Sequence, residues 1–208
     1  MGHPPNHHRN AQQRILLAQA AARLMAESGQ RDFSAAKRKA AEQLGIHQRR
    51  YLPDNDEIER ALREYLHLFQ HHSQSQQLHQ LRQTALKAMS LLAPFSPRLV
   101  GPVLRGSADQ HTPINLHLFA ESSENLVIFL IEHKIPFNQS EQRIRYAGGR
   151  EEQRPVFSFF AGENALKLTI FPLNGQRQAP LSPVDGRPMQ RASHSELEQL
   201  LEDEPVDR

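Results

Sequence analysis

The stretch Leu99–Phe119, LVGPVLRGSADQHTPINLHLF, decides the fold of this chain. Its two apolar runs, at Arg98–Leu104 and Ile114–Phe119, predict two β-strands. The polar, glycine-containing residues between the runs predict a connecting loop. The predicted secondary structure changes here, because the sequence before this stretch has helical periodicity and the sequence after it is rich in short strand patterns. We therefore expect an all-α part followed by an α+β part.

After this stretch, strand and helix patterns follow in the order expected for an α+β domain. A helix is predicted at Ser123–Lys134, and a second, short helix at Ser195–Glu202. The strands are predicted at Arg143–Tyr146, Pro155–Phe160 and Leu166–Phe171, with a hairpin loop at Ala161–Asn164. The proline-rich, polar segment 174–191 predicts a loop that covers the domain.

Upstream, apolar residues recur at helical spacing from about Gln12, and Gly29 is placed to end the first helix. Ser34 and Gly45 are placed to bound a second helix. Asp54 and Glu57 resemble a capping box at the start of a third. The fourth helical stripe runs over 78–92, and the polar segment 71–77 before it reads equally as a linker or as the exposed start of that helix. We expect a disordered tail at 1–10, a helical unit at 11–73, an α+β domain at 74–202 and an acidic tail at 203–208.

Composition excludes several classes of protein. The chain has 208 residues, a formal charge of +2, 38% hydrophobic residues and no cysteine, which excludes disulfides and thiol catalysis. No apolar run reaches the roughly 20 residues of a membrane span, so we expect no membrane partner. The first ten residues lack the apolar centre of a secretory signal, and we expect a cytoplasmic protein.

Residues within Leu99–Phe119 resemble the signature of the nucleotidyltransferase superfamily, the palm of polymerase-beta-like enzymes. That signature is a strand, Gly-Ser-x-x-Arg-Gly, a short loop, and Ser-Asp-hydrophobic-Asp on the next strand. Gly101 stands at its first glycine, Arg105 and Gly106 at its Arg-Gly pair, and Thr112 at its second serine. The resemblance implies a nucleotidyltransferase-like mixed sheet with flanking helices.

The acidic positions of that signature are lost. Pro102 replaces the first serine, Pro113 replaces the first aspartate and Asn115 replaces the second. Side chains at 113, 115 and 117 share one face of a strand, where the family holds Mg²⁺ through carboxylates. His117, the third residue of that set, offers only a nitrogen better suited to Zn²⁺ or Cu²⁺, and we interpret it as structural.

The third acid of the family lies on a later strand, and the best candidate here, 165–171, carries Lys167 and Thr169 but no carboxylate. We therefore predict no catalytic residue, no metal site and no cofactor. Mg²⁺ would be required only if the chain is an active nucleotidyltransferase with unorthodox acids, such as Glu163, Glu151 or Glu152.

Phosphate-binding residues of the signature remain. Gly101, Arg105 and Gly106 are candidates to meet a phosphate, because arginine offers a charged fork and glycine allows close approach. The alternative is that Gly106 makes a turn and Arg105 pairs with a surface acid. Asn115 and His117 are candidate residues of the site face. Expected partners are a nucleotide, RNA or a protein, in a domain that binds rather than turns over.

The segment 14–46 resembles the start of TetR-type repressors, in which a Glu-x-Gly turn and a Leu-Gly-hydrophobic turn end two successive helices. A recognition helix would have to follow at 47–52, where Pro53 cuts it short. Its candidate nucleic-acid contacts are Lys37, Lys39, Arg49 and Arg50. A helix-turn-helix regulator is thus an alternative function, although a plain three-helix unit with basic outer faces is favoured and DNA is the disfavoured partner.

Overall fold

The computed structural model describes residues 6–29, 32–46, 48–69, 71–109 and 111–204, with the side chains of 6–9, 49, 67–69 and 71–74 left outside the description. The chain is an α+β protein that divides into two compact units, Met1–Ser75 and Gln76–Arg208. None of the described helices is both long enough and apolar enough to cross a membrane.

The first unit is helical. Its helices are α1 (Asn6–Ser28), α2 (Phe33–Leu44) and α3 (Asn55–Phe69), with a 3-10 turn at Arg49–Tyr51. Their apolar stripes meet in a core whose fully buried members include Leu17, Ala21, Met25, Ile58 and Leu66. The 3-10 turn is all the helical structure in the described part of the segment that would supply a recognition helix.

Helix boundaries in this unit follow capping chemistry. The capping box at Asp54 and Glu57 is confirmed, because each side chain accepts a hydrogen bond of 2.8 Å from the backbone N–H of the other residue. The cap of α2 was assigned wrongly to Ser34. It is Asp32, whose Oδ1 accepts from the backbone N–H groups of Ser34 and Ala35.

Helix α1 begins at Asn6, and residues 6–10, which we expected to be disordered, are helical. Pro4 and Pro5 are the last helix-breaking residues before it. The polar residues that follow can lie on solvated helix faces without producing the apolar periodicity on which the prediction relied. Residues 1–5 and 205–208 of the predicted tails lie outside the described part of the chain.

The second unit contains a five-stranded mixed sheet and the helices that flank it. The helices are α4 (His71–Leu91), most of which belongs to this unit, α5 (Pro102–Arg105), α6 (Ser123–Glu132) and α7 (His194–Glu202). The polar segment 71–77 is therefore the start of a helix. The strands are β1 (Arg98–Val100), β2 (Ile114–Phe119), β3 (Asn138–Arg145), β4 (Glu151–Ala161) and β5 (Asn164–Phe171). They lie in the order β1-β2-β5-β4-β3, with β2 and β5 parallel and the other neighbours antiparallel.

The predicted strand Arg98–Leu104 is wrong in its second half. Strand β1 stops at Val100 because Gly101 turns the chain with a positive φ of 77°. Pro102 then starts the four-residue helix α5, a position in which its missing N–H costs nothing. Gly106, at φ 80°, ends that helix.

One face of the sheet is packed with apolar side chains. Alternate residues of β2, β4 and β5 point into a core that includes Leu116, Phe157 and Leu168. Residues of α4, α6 and α7, such as Leu81, join the same core. These helices therefore cover one sheet face, and the opposite face is left for other contacts.

Candidate functional site

The sheet face opposite the helices, here called the polar face, carries the positions that the sequence singled out. Residues paired directly across neighbouring strands point to the same side of a sheet. Register defines an outer row consisting of Val100, Asn115, Lys167, Ser158 and Asn138. Two residues further along the strands, an inner row consists of Arg98, His117, Thr169, Val156 and Ser140.

The two rows differ in exposure. In the inner row, His117 is 4% exposed, and Thr169 and Val156 are also buried. In the outer row, Lys167 and Asn138 are exposed, and Asn115 is half-buried. Val100 of the outer row is buried and Ser140 of the inner row is exposed, so a ligand can reach the outer row from Asn115 to Asn138 and the β3 end of the inner row.

Asn115 and Gly101 are in close contact. Asn115 Nδ2 donates a 3.1 Å hydrogen bond to the carbonyl of Pro113. A Cβ placed on Gly101 would lie 3.3 Å from that same Nδ2 atom. The glycine therefore leaves the room in which the Asn115 side chain sits at the end of β1.

Lys167 lies directly opposite Asn115 on the neighbouring parallel strand. Paired positions on adjacent strands are about 5 Å apart. Lys167 is exposed, and its ammonium makes no ion pair or hydrogen bond with any residue that the structure describes. This chain thus holds a cation beside Asn115 on the polar face.

His117 is held as a neutral imidazole. Burial, and after it the positive charge of Arg191, lower the pKa of His117 to about 3. Arg191 donates from Nε to Nδ1 of His117 over 3.2 Å. Because Nδ1 accepts this bond, the ring's single proton is assigned to Nε2. The ring of His117 is thus a buried neutral imidazole whose Nδ1 is occupied by an arginine.

Arg191 attaches the covering loop to the sheet. Its Nη1 donates to the carbonyl of Gly175 over 2.9 Å, and its guanidinium carbon lies 5.2 Å and 5.3 Å from the ring centroids of Phe119 and Phe171. Its Nη2 is buried without a hydrogen-bond partner. A guanidinium stacked over two aromatic rings is a favourable contact, and it explains why the inner row is covered.

A second arginine lies against the same aromatic pair. The guanidinium carbon of Arg154 is 5.8 Å from the centroid of Phe171, and its Nη2 bonds to Glu152. Glu152 also pairs with Arg150 at 3.3 Å. The carboxylate of Glu152 is therefore neutralised by two arginines.

The other predicted phosphate-binding positions do not gather at the outer row. Gly106 lies against α4, where a Cβ on it would come within 3.8 Å of Leu78 and 3.9 Å of Arg82. Arg105 closes the turn of α5 by donating its backbone N–H to the carbonyl of Gly101 over 3.0 Å. Of the three candidates, Gly101 is thus the one that the structure places beside Asn115.

The loop before β2 is held by its own side chains. Thr112 Oγ1 donates to Asp109 Oδ1 over 2.8 Å and accepts the backbone N–H of Asp109 over the same distance. Both residues are buried. Thr112, which was aligned with the second serine of the signature, stabilises this loop through its two hydrogen bonds to Asp109.

The acids named as unorthodox metal ligands lie far from Asn115. Glu152 is six residues along β4 from Ser158 of the outer row, which is about 20 Å. Glu163 is exposed in the turn between β4 and β5, four residues or about 13 Å before Lys167. Glu151 pairs with Arg143 on β3. Within the described ranges, no group of three His, Asp or Glu residues is placed to hold a metal ion.

The basic residues of the first unit have local roles. Lys37 is half-buried, and burial lowers its pKa although the nearby carboxylates of Asp54 and Glu57 raise it. Arg50 Nη2 donates to the hydroxyl of Tyr51 over 2.8 Å, and its guanidinium lies over that ring. Lys39 is exposed, and the side chain of Arg49 lies outside the described residues. The described side chains of Lys37, Lys39 and Arg50 do not form a shared binding site.

Sequence reasoning found Asn115 and His117 by strand alternation but missed Arg191, Arg154 and Phe160. The alternation in VFSFF, 156–160, was the available signal for Phe160, which is 74% exposed. Arg191 had no local signal, because a loop-to-sheet contact is not periodic. No protein-family model matches the chain, and comparison with curated protein sequences finds no significant match.

Proposed function

We propose that the second unit is a degenerate nucleotidyltransferase-like domain that binds nucleotide phosphate, free or at an RNA end, without metal-dependent transfer. The observation that carries the proposal is the pairing of Asn115 with Lys167 across β2 and β5. The family resemblance calls for a carboxylate at position 115 and for a third one on the strand 165–171. An amide and an ammonium stand there instead.

This replacement changes which ligand the site favours. Mg²⁺ is bound through carboxylate oxygens, and a positively charged lysine at the paired position of the neighbouring strand repels a divalent cation. A phosphate has the opposite preference, because Lys167 supplies a positive charge and three N–H donors. The pair therefore supports binding of a phosphate in the absence of metal.

Gly101 and Asn115 complete the ligand-facing part of the site. Among the described residues no group bonds to Oδ1 of Asn115, since the side-chain bond to Pro113 is made by Nδ2. That oxygen suits a sugar hydroxyl, which donates a hydrogen bond. Because Gly101 lacks a Cβ, the Asn115 side chain can lie against the backbone there, which fixes its position at the end of β1.

The test is calorimetric titration with each nucleoside triphosphate, with and without Mg²⁺, together with an assay for incorporation of labelled nucleoside monophosphate. We expect binding that does not require Mg²⁺ and no incorporation. Lys167→Gln should weaken binding roughly tenfold, as expected for loss of one charged hydrogen bond.

The matched control is Lys87→Gln, which removes the same charge from an exposed position on α4, on the helical side of the sheet. It should bind like the wild type. Binding that requires Mg²⁺, or any incorporation, would show that a metal site exists and would reject the proposal. Absence of binding at millimolar nucleotide would reject it as well.

A further inference from the structure

An exposed aromatic ring stands beside the outer row. Phe160 points to the same side of the sheet as Ser158, and its ring is 74% exposed. Its partner across β5 is Ala165, two residues from Lys167. The diagonal separation of such positions is about 7–8 Å. A flat ring and an unpaired ammonium thus lie side by side on an open sheet.

Charge on the polar face is strongly one-sided. Its strands carry Arg98, Arg154 and Lys167, and the covering loop adds Arg191. The one carboxylate on these fully described strands that shares the face is Glu152, which pairs with Arg154, so Arg98, Lys167 and Arg191 remain as the surplus positive charge. The face therefore attracts an anion.

We propose that the outer row and Phe160 together bind a single-stranded nucleic acid, with a base stacked on Phe160 and a backbone phosphate beside Lys167. The inference rests on the proposed nucleotide binding and extends it from one nucleotide to a strand. Exposed aromatic rings on a sheet, next to basic side chains, bind unpaired bases in this manner because every base has a face to stack.

A single strand fits this surface better than a duplex. The row from Asn115 to Asn138 crosses three strand spacings, about 14 Å, and its members are small or polar: Asn115, Ser158 and Asn138. In a duplex the base faces are occupied by neighbouring pairs, so no face is left for Phe160. The flanking polar groups can bond to base edges that pairing would otherwise hide.

Fluorescence anisotropy with labelled 12-nucleotide RNA and DNA strands, over a range of salt concentrations, tests the inference in the full chain. We expect binding at low salt and weaker binding to the matching duplexes. Phe160→Leu, which keeps an apolar side chain at an exposed site, should weaken binding about tenfold, and Phe160→Tyr should restore it. Lys167→Gln should reduce the slope of log K against log salt by about 0.7.

Two further variants sharpen the result. Glu163 lies in the turn between β4 and β5, three residues after Phe160. Glu163→Gln should tighten binding, because it removes a negative charge that repels the phosphates of the strand. Ile131→Ala, at an exposed residue on α6, should leave it unchanged. If the protein binds mononucleotides but Phe160→Leu binds strands as the wild type does, this inference is wrong and the proposed function stands. If neither mononucleotides nor strands bind, both are wrong.

Discussion

Arg191 on the covering loop donates a hydrogen bond of 3.2 Å to Nδ1 of His117 on β2. This contact joins a cation to an imidazole that is 4% exposed. Burial and the adjacent guanidinium lower the pKa of His117 from 6.5 to about 3. His117 therefore stays neutral in the folded protein where an unfolded chain would bind a proton.

The first prediction is a pH dependence of stability. Below pH 6.5 the unfolded state binds a proton at His117 and the folded state does not, so the free energy of unfolding falls as pH falls. The slope attributable to this residue should approach about 1.4 kcal/mol per pH unit and should end near pH 3, where the folded state also binds the proton. Above pH 6.5 the residue should contribute no slope.

Urea unfolding at several pH values, on wild type and His117→Gln, measures this slope as the difference between the two proteins. NMR gives a second measurement, because the imidazole resonances missing from the His117→Gln spectrum should not shift between pH 5 and 8 in the wild type. A resonance that titrates in that range would show that the ring is not held in its neutral form.

The second prediction concerns the lost acids. Positions 113 and 115 face the same side, so Pro113→Asp combined with Asn115→Asp should place two carboxylates where the resemblance expects them. We expect Mg²⁺ to tighten nucleotide binding by this variant at least about fivefold, and we expect this effect of Mg²⁺ to grow when Lys167→Gln is added. Calorimetry measures both affinities.

A matched control for these added charges is Ser140→Asp combined with Gln142→Asp, at two exposed positions outside the outer row. These positions also share a face and lie on the edge strand β3, where the resemblance expects no metal. If both pairs of substitutions produce the same Mg²⁺ dependence, the effect is general electrostatics and the degenerate-site interpretation is wrong.

The third prediction concerns a buried ion pair that ties the C-terminal segment to α4. Arg82, whose side chain is 7% exposed, pairs with Glu204 and donates 3.0 Å bonds to the carbonyls of Val103 and Leu104. Arg82→Ala leaves these acceptors without their donor, and we expect it to lower the free energy of unfolding by about 3 kcal/mol. Urea denaturation measures the loss.

The comparison variant is Arg143→Ala. Arg143 pairs with Glu151 at 3.3 Å, but its side chain is 68% exposed, so the loss should be about 0.5 kcal/mol or less. Equal losses in the two variants would mean that burial of Arg82 does not set its contribution.

Local chemistry in the sequence was enough to predict several elements of this fold. The capping box at Asp54 and Glu57 and the hairpin at 161–164 depend on neighbouring residues, and both are present. Strand β3 was predicted only at its end, because its first residues, 138–143, are all exposed and polar and so show no alternation. An edge strand that is solvated on both faces cannot be predicted from alternating hydrophobic residues.

The candidate site was predictable only in part for the same reason. Alternation along β2 placed Asn115 and His117 on one face. The pairing of Asn115 with Lys167 needed the register between two strands almost fifty residues apart, and the Arg191 contact needed the path of a loop. Neither is encoded by spacing within a short segment.

The last prediction separates two ways in which a side chain at Gly101 would destabilise the fold, namely backbone strain and crowding of Asn115. The backbone of Gly101, at φ 77° and ψ −155°, lies in a region that only glycine adopts readily, and a Cβ there would also press on Asn115 Nδ2. We expect Gly101→Ala to lower the free energy of unfolding by about 3 kcal/mol. Gly148→Ala is the control, because Gly148 has a similar φ of 80° and open space around it. Its cost should be near 1 kcal/mol.

Adding Asn115→Ala to Gly101→Ala should recover part of the lost stability, since the crowded amide is then gone. Denaturation of the single and double variants measures the coupling between the two positions. If the two substitutions simply add, the amide of Asn115 does not depend on the space that Gly101 leaves, and the close contact between the two residues has no energetic consequence.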